Sequence, residues 1–149
     1  MTTSLLAQQL DALLTDETNF IANLSNASAL LNENLVDINW VGFYLYDQVT
    51  KQLHLGPFQG KVACMHIDFD KGVCGSAVAQ QKTLRIDDVH QFAGHIACDS
   101  ASNSEIVIPL IKDGKILGVL DIDSPQFARF SSDDQVQLEE FVEVLLKHL

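Results

Sequence analysis

Two strongly apolar segments separated by four residues constrain the fold of this chain more than any other feature. Residues 105–111 and 116–122 are rich in Ile, Val and Leu, and the segment 112–115 between them reads Lys-Asp-Gly-Lys. An Asp-Gly pair supplies the positive φ angles that a tight hairpin turn requires. The sequence therefore predicts an antiparallel hairpin here, and the rest of the domain must be built around it.

The segments before the hairpin predict helices followed by strands. Leucines and other apolar residues recur at helical spacing over residues 5–14 and 20–31, which predicts two amphipathic helices. Residues 40–46 and 53–55 predict a second hairpin, because aromatic and β-branched residues dominate them. We expect a further strand at residues 62–67.

The middle and end of the chain predict two more helices. Residues 71–79 combine glycines with small apolar residues, which predicts a short helix, and residues 83–86 predict a short strand. A closing helix is predicted from Ser131 or Ser132, because hydroxyl side chains cap helices and acidic residues follow. Its expected buried stripe consists of Val136, Phe141, Val144, Leu145 and Leu149.

This order of elements predicts an α+β domain. Helices come first, a mostly antiparallel sheet with one inserted helix follows, and a last helix closes the chain, so the helices must pack on the sheet. We find no internal repeat and no linker, and 149 residues suffice for one core, so residues 1–149 are expected to form a single domain.

Composition excludes several classes of partner. Nine basic residues against 20 acidic ones give a net charge of −11, which would repel a nucleic acid backbone. The amino-terminal segment has no basic region, and polar residues interrupt its leucines, so neither a signal peptide nor a membrane span is expected. We therefore expect a cytoplasmic protein, in whose reducing surroundings three cysteines indicate free thiols, metal ligands or redox chemistry.

The three cysteines are the leading candidates for chemistry. Cys98 lies in a segment, residues 87–104, without helical or strand periodicity, which predicts a long and accessible loop. Cys74 follows Gly72 at the predicted start of a helix, where the helix dipole and Lys71 would lower its pKa. Either thiol is a candidate nucleophile, and Cys64 is a candidate partner for a disulfide, although a cysteine is often only a small buried hydrophobe.

Two other groups of polar residues suggest a binding site. Glu105, Asp121 and Asp123 lie at the ends of apolar strands, and residues two apart in a strand face the same side. Close carboxylates raise one another's pKa and favour a shared proton or a bound cation, unless the strand simply emerges into solvent. Trp40 and Tyr44 also share one strand face, where they form part of the core or the wall of a small apolar pocket.

A zinc site is the alternative that the cysteines and histidines suggest. Thiolates and imidazoles are the usual ligands of zinc, but no C-x-x-C pair occurs and the spacing fits no common structural zinc motif. We therefore expect no metal. The residues concerned are Cys64, His66, Cys74, His90, His95 and Cys98.

Six short blocks follow one another in a fixed order: GPFQGKVAC (56–64), KGVCG (71–75), DVH (88–90), GHIACD (94–99), SEIV (104–107) and LDIDSP (120–125). Together they resemble the free methionine-R-sulfoxide reductases, a family of single GAF domains. The spacing of the cysteines, ten residues and then twenty-four, is also similar to that of the family, whereas Asp68 and Asp70 depart from it.

The resemblance implies a role for each candidate residue. It makes Cys98 the catalytic cysteine and Cys64 its main resolving partner, with Cys74 as a third cysteine that can join the disulfide exchange. Glu105, Asp121 and Asp123 would hold and polarise the substrate, and Trp40 and Tyr44 would form the aromatic side of its pocket. The GAF fold it implies has the terminal helices on one face of the sheet and a long active-site loop region on the other.

The implied activity is the reduction of free methionine-(R)-sulfoxide without a cofactor. Cys98 would attack the sulfoxide sulfur, become a sulfenic acid and condense with a neighbouring thiol to a disulfide, which thioredoxin would reduce. A homodimer is expected because GAF domains often pair through their terminal helices. The alternative is a GAF-type sensor that binds a small molecule without catalysis.

Overall fold

A computed structural model describes residues 3–96, 98 and 100–149, which form helices on both faces of a six-stranded antiparallel sheet. In the sheet, the strands lie in the order β3-β2-β1-β6-β5-β4. The elements in chain order are α1 (Leu5–Leu14), α2 (Phe20–Asn34), β1 (Trp40–Asp47), β2 (Gln52–Gly60), β3 (His66–Asp68), α3 (Gly72–Gln80), β4 (Leu84–Ile86), a 3₁₀ turn (Val89–Gln91), β5 (Ser104–Lys112), β6 (Lys115–Ser124) and α4 (Ser132–Leu146). The predicted α+β class is confirmed.

The hairpin formed by β5 and β6 confirms the prediction from the two apolar segments. Lys112 and Lys115 are paired at its end, and the two turn residues have positive φ angles, 53° at Asp113 and 75° at Gly114. β6 then pairs with β1, so β6 of this hairpin and β1 are the two central strands of the sheet.

The sheet separates two hydrophobic clusters. On one face, α1, α2 and α4 cover the inward side chains of β1, β5 and β6, among them Phe43, Ile106 and Leu120. On the other face, α3 packs against β5 and β6 and covers a smaller cluster that includes Trp40, Tyr44 and Cys74. Alternation along the strands therefore directs residues 40 and 44 of β1 to the face of α3.

The acidic segment between β3 and α3 is a tight turn. The Gln52 side-chain amide donates a hydrogen bond to Asp68 Oδ1 at 2.9 Å, and the backbone N–H of Asp70 donates to the carbonyl of Gly75 at 3.0 Å. A Cβ at Gly75 would lie 2.4 Å from the carbonyl oxygen of Asp68, so α3 approaches this turn too closely for a side chain there. Asp68 and Asp70 thus belong to the support of α3.

Two predictions about elements were wrong in detail. The strand expected at residues 62–67 is confined to His66–Asp68, and the carbonyls of Lys61 and Cys64 accept hydrogen bonds from the side chains of Trp40 and Tyr44. Val136 is 60% exposed, since it lies on the opposite side of α4 from Leu138, Phe141 and Leu145. The expected loop contains the 3₁₀ turn, which the Asp88 side chain caps.

None of the helices among the described residues is long and apolar enough to cross a membrane.

Candidate functional site

Strand pairing gathers the three candidate carboxyl groups. Glu105 on β5 pairs with Asp123 on β6, and Asp123 also pairs with Trp40 on β1. Paired residues on one face have their Cβ atoms about 4.5–5.5 Å apart. Asp121 lies two residues before Asp123 and therefore faces the same side, where Glu105 and Asp121 are buried.

Burial makes two of these carboxyl groups weak acids. The pKa of Glu105 is raised well above its ordinary value, first by burial and then by the negative charges of Asp121 and Asp123. Burial also raises the pKa of Asp121. Within the part of the chain that the structure describes, Asp121 Oδ1 is buried and has no hydrogen-bond partner. This site can therefore hold and donate a proton, and it has an acceptor for a ligand.

The cysteines divide into a bonded pair and a buried thiol. Cys64 and Cys98 form a disulfide with their Cα atoms 5.4 Å apart, which joins the segment before β3 to the long loop. Cys74 is a free thiol on the buried side of α3, and burial followed by the charges of Asp121 and Glu105 raises its pKa. The prediction that the start of the helix activates Cys74 was wrong, because the side chain faces the acids instead of solvent.

These groups share one cavity. It lies between the sheet, α3 and the long loop. Seven of the eight residues singled out from the sequence line it, and the eighth, Cys64, is joined to it by the disulfide with Cys98. The lining residues are Trp40, Tyr44, Val62, Ala63, Ile67, Gly72, Val73, Cys74, His95, Ile96, Cys98, Ser102, Glu105, Asp121 and Asp123.

The two aromatic rings that line the cavity, those of Trp40 and Tyr44, belong to a stack of three rings. The Trp40 ring lies 5.8 Å from that of Tyr44 and 5.1 Å from that of Phe58, with interplanar angles of 23° and 16°. Trp40 and Tyr44 are both almost fully buried. The wall can therefore take up an apolar group without rearranging.

Three further residues line the cavity: His95, which the sequence suggested only as a candidate zinc ligand, and Ile96 and Ser102, for which it suggested no role. His95 faces the cavity, and burial and then the neighbouring His90 lower its pKa, so the ring is neutral near pH 7. A neutral imidazole can both donate and accept a hydrogen bond. The only sequence signal was proximity, since His95 and Ile96 lie within three residues of Cys98.

The donor atoms of three buried side chains are close enough to hold a cation together. One ligand atom from each of Cys74, Glu105 and Asp121 lies within 4.8 Å of the others. The zinc group considered from the sequence is different, because Cys64 and Cys98 are disulfide-bonded and His66 is exposed beside His54.

Comparisons with known proteins place this chain in a family. A GAF domain model matches residues 21–145. The free methionine-R-sulfoxide reductase of Escherichia coli strain K12 is 56% identical over 144 residues, which cover 97% of this chain and 86% of that protein.

Two solved structures extend the match to three dimensions. The structure of the reduced form of an fRMsr of Staphylococcus aureus matches with a TM-score of 0.94 at 55% identity, and the match covers 100% of this chain and 99% of that one. The X-ray structure of a free methionine-R-sulfoxide reductase from Neisseria meningitidis in complex with its substrate has a TM-score of 0.93 at 45% identity, over 96% and 85% of the two chains. The expected GAF fold is thus confirmed, and the chain belongs to the GAF-domain family of free methionine-R-sulfoxide reductases.

Proposed function

We propose that residues 1–149 act as one catalytic domain that reduces free L-methionine-(R)-sulfoxide to L-methionine. The observation that carries the proposal is the Cys64–Cys98 disulfide at a cavity lined by Glu105, Asp121 and Asp123. A cysteine pair beside clustered acids combines a two-electron reductant with a source of protons. The names of the relatives add support for this substrate.

In the first step, Cys98 reduces the sulfoxide. In the reduced protein, the Cys98 sulfur attacks the electrophilic sulfur of the substrate, and the oxygen passes to Cys98. Methionine leaves, reduced by two electrons, while Cys98 is oxidised by two electrons to a sulfenic acid. The hydroxyl proton of that sulfenic acid comes from an acid of the cavity, and the thiol proton that Cys98 loses replaces it on that acid, so the step is balanced.

The acids assist this step by protonating the sulfoxide oxygen. An acid works best when its pKa is near the operating pH, and burial and charge repulsion raise the pKa of Glu105 in that direction. The buried Asp121 supports Glu105 through its own charge, and Asp123 does so from the paired strand. We assign Glu105 the role of proton donor and Asp121 and Asp123 the role of tuning and holding groups.

In the second step, the disulfide forms and is recycled. The Cys64 thiol attacks the sulfur of the Cys98 sulfenic acid, the S–O bond breaks and water leaves. Cys74 faces the same cavity and is assigned to the exchange when Cys64 is absent. A dithiol protein, thioredoxin, then reduces the disulfide in the cytoplasm. No cofactor takes part in the proposed sequence.

The same cavity accounts for the choice of a free amino acid. Its carboxylates pair with the ammonium group of the substrate, which a methionine inside a peptide lacks. The substrate carboxylate binds backbone amides of the long loop. Trp40 and Tyr44 hold the methyl group against their rings, which fixes the sulfur epimer presented to Cys98.

The proposal includes a homodimer formed through the helices. Leu5 and Leu13 on α1, Ile21 on α2 and Val136 on α4 are exposed, although all are large and apolar. A second copy that covers them would remove this surface from water.

The experiment is a single turnover of the reduced protein with one equivalent of free methionine-R-sulfoxide. We expect one methionine per chain and a mass loss of two hydrogens that maps to Cys64 and Cys98. The Cys98→Ser variant should release none. The Cys64→Ser variant should still release about one methionine per chain from its single attack, because Cys98 can be oxidised only once without recycling.

The acid role has a separate test in the same assay. We expect Glu105→Gln to slow methionine release by about 10²-fold or more, since general acid catalysis contributes at least that much. Multiple turnovers by Cys98→Ser would show that the nucleophile is wrong. Release by Glu105→Gln at the rate of the unaltered protein would remove the acid from the mechanism.

A further inference from the structure

The segment that carries Cys64 has no regular structure of its own. Residues 61–65 connect β2 to β3 as neither helix nor strand. Val62 is 89% exposed and Met65 is 70% exposed, so the segment lies along the surface. Its backbone therefore needs contacts from elsewhere to keep one conformation.

Side chains of β1 supply two of these contacts. The indole Nε1–H of Trp40 donates a hydrogen bond to the carbonyl oxygen of Lys61 at 3.1 Å. The hydroxyl of Tyr44 donates to the carbonyl oxygen of Cys64 itself at 2.9 Å. A backbone bond from Leu55 N–H to the carbonyl of Met65, at 3.0 Å, holds the end of the segment to β2.

The two donor side chains are themselves immobile. Trp40 is 3% exposed and Tyr44 is 2% exposed, and both rings belong to the stack described above. The chain enters the segment directly against the indole. Gly60 has φ +140°, and a Cβ there would lie 2.6 Å from Trp40 Cδ1. The position of residues 61–64 is thus set by rings anchored in the central part of the sheet.

The chemistry of the tyrosine suits a permanent donor. Burial, followed by the charges of Asp121 and Cys74, raises the pKa of Tyr44. The phenol therefore keeps its proton near neutral pH, and a phenol donates where a phenolate cannot.

We propose that Tyr44 and Trp40 are positioning residues for Cys64, which hold its backbone where its sulfur can meet that of Cys98. The inference rests on the proposed function, and it adds a second role to side chains that we assigned to substrate binding. The reaction served is the one in which Cys64 attacks the Cys98 sulfenic acid and water leaves. With the segment already in place in the dithiol form, closure costs less conformational entropy, so the disulfide is favoured.

The test measures the Cys64–Cys98 equilibrium without substrate. The full chain is equilibrated in glutathione redox buffers, free thiols are alkylated, and the disulfide fraction is read by mass spectrometry. Tyr44→Phe removes only the hydroxyl. The matched control is Tyr46→Phe, the same change on the same strand, where the ring contacts Phe69 outside the cavity.

We expect the Tyr44→Phe disulfide to be easier to reduce. Losing one hydrogen bond should lower its equilibrium constant about 3- to 10-fold, and the reduction potential should rise by about 15–30 mV because tenfold corresponds to ~30 mV for two electrons. Tyr46→Phe should match the unaltered protein. A potential for Tyr44→Phe equal to that of the control would overturn the inference.

A second variant keeps the inference testable if Tyr44→Phe does not fold. Trp40 is the single tryptophan of the chain, so benzothienylalanine can replace it, which keeps the fused ring and removes the N–H donor. The reduction potential of this variant should also rise, and an unchanged reduction potential would contradict the positioning role.

Two outcomes separate this inference from the proposed function. Suppose that neither the unaltered protein nor any variant releases methionine, but that the reduction potentials differ as expected. The reductase assignment then fails and the positioning role stands. If methionine is released and the potentials are equal, the assignment stands and the positioning role fails.

Discussion

At the scale of single residues, Glu105 and Asp121 are buried carboxyl groups next to each other and to Asp123. Burial and repulsion disfavour the charged form, which raises the pKa of Glu105. The unfolded chain ionises at its ordinary value of 4.5, while the folded protein retains the proton to higher pH. Stability from this group is therefore complete below that value and is lost as pH rises through the raised pKa.

We predict that Glu105→Gln stabilises the protein at alkaline pH although it slows the reaction. Glutamine stays neutral, so the variant avoids the cost of ionising a buried acid. Its melting temperature should exceed that of the unaltered protein more at about pH 8 than at about pH 5, by about 2–4 °C for each kcal/mol. Thermal melts monitored by circular dichroism measure the difference.

The control for this prediction is Glu143→Gln on α4, which makes the same change at an exposed position. It should leave the melting temperature unchanged at both pH values. If the gain in melting temperature of Glu105→Gln over the unaltered protein is no larger at pH 8 than at pH 5, then Glu105 is ionised in the folded protein without a free-energy cost.

A second residue-scale prediction concerns the pH dependence of methionine release. Asp123→Asn removes a negative charge that helps to raise the pKa of Glu105. Glu105 should then lose its proton at lower pH, so the alkaline limb of the single-turnover rate should move to lower pH. Asp68→Asn, an exposed acid on β3, is the control and should leave the profile in place. A shift to higher pH, or none, would contradict the proposed electrostatics.

At the scale of elements, predictions were good where local chemistry decides and poor where distant contacts decide. The turn at Asp113 and Gly114 depends only on two residues, and it was found as expected. The cap of α4 is also local. The segment 61–65 contains apolar residues that suggest a strand, yet its carbonyls accept hydrogen bonds from the side chains of Trp40 and Tyr44. These contacts come from another strand, so the sequence of the segment itself could not predict them.

We predict that the cap of α4 contributes to the stability of the protein and not to its activity. The Ser131 hydroxyl accepts a hydrogen bond from the backbone N–H of Asp134, and the Asp134 side chain accepts one from the N–H of Ser131. Ser131→Ala should cost about 1 kcal/mol and lower the melting temperature by about 2–4 °C, with methionine release unaltered. Ser132→Ala, one residue later and exposed, should do neither, and equal losses in both variants would show that the capping box is not the cause.

At the scale of the whole molecule, the site depends on four strands, a helix and a loop that meet on one face of the sheet. Each candidate side chain could be singled out by its type and local setting. Their convergence could not, because Cys64 and Cys98 are 34 residues apart and the acids lie on paired strands. Local reasoning favoured Cys74 as strongly as Cys98, and only the burial of Cys74 beside the acids explains why a helix start does not activate it.

We predict a homodimer in solution, because large apolar side chains on the helices, among them Leu5, Leu13, Ile21 and Val136, are exposed. Multi-angle light scattering should give twice the chain mass of 16.4 kDa. Leu5→Glu combined with Ile21→Glu should shift the mass to one chain, since a buried charge without a partner opposes association. A mass of one chain for the unaltered protein at every concentration would contradict the dimer.

The most direct test of the central claim compares three substrates in one stoichiometric assay of the reduced protein. Free methionine-R-sulfoxide, free methionine-S-sulfoxide and a peptide that contains methionine sulfoxide are each supplied at one equivalent, and product and thiols are counted. We expect one reduced methionine and one Cys64–Cys98 disulfide per chain from the free R epimer, and neither from the other two. Equal reduction of the peptide, or of the free R epimer by Cys98→Ser, would contradict the account.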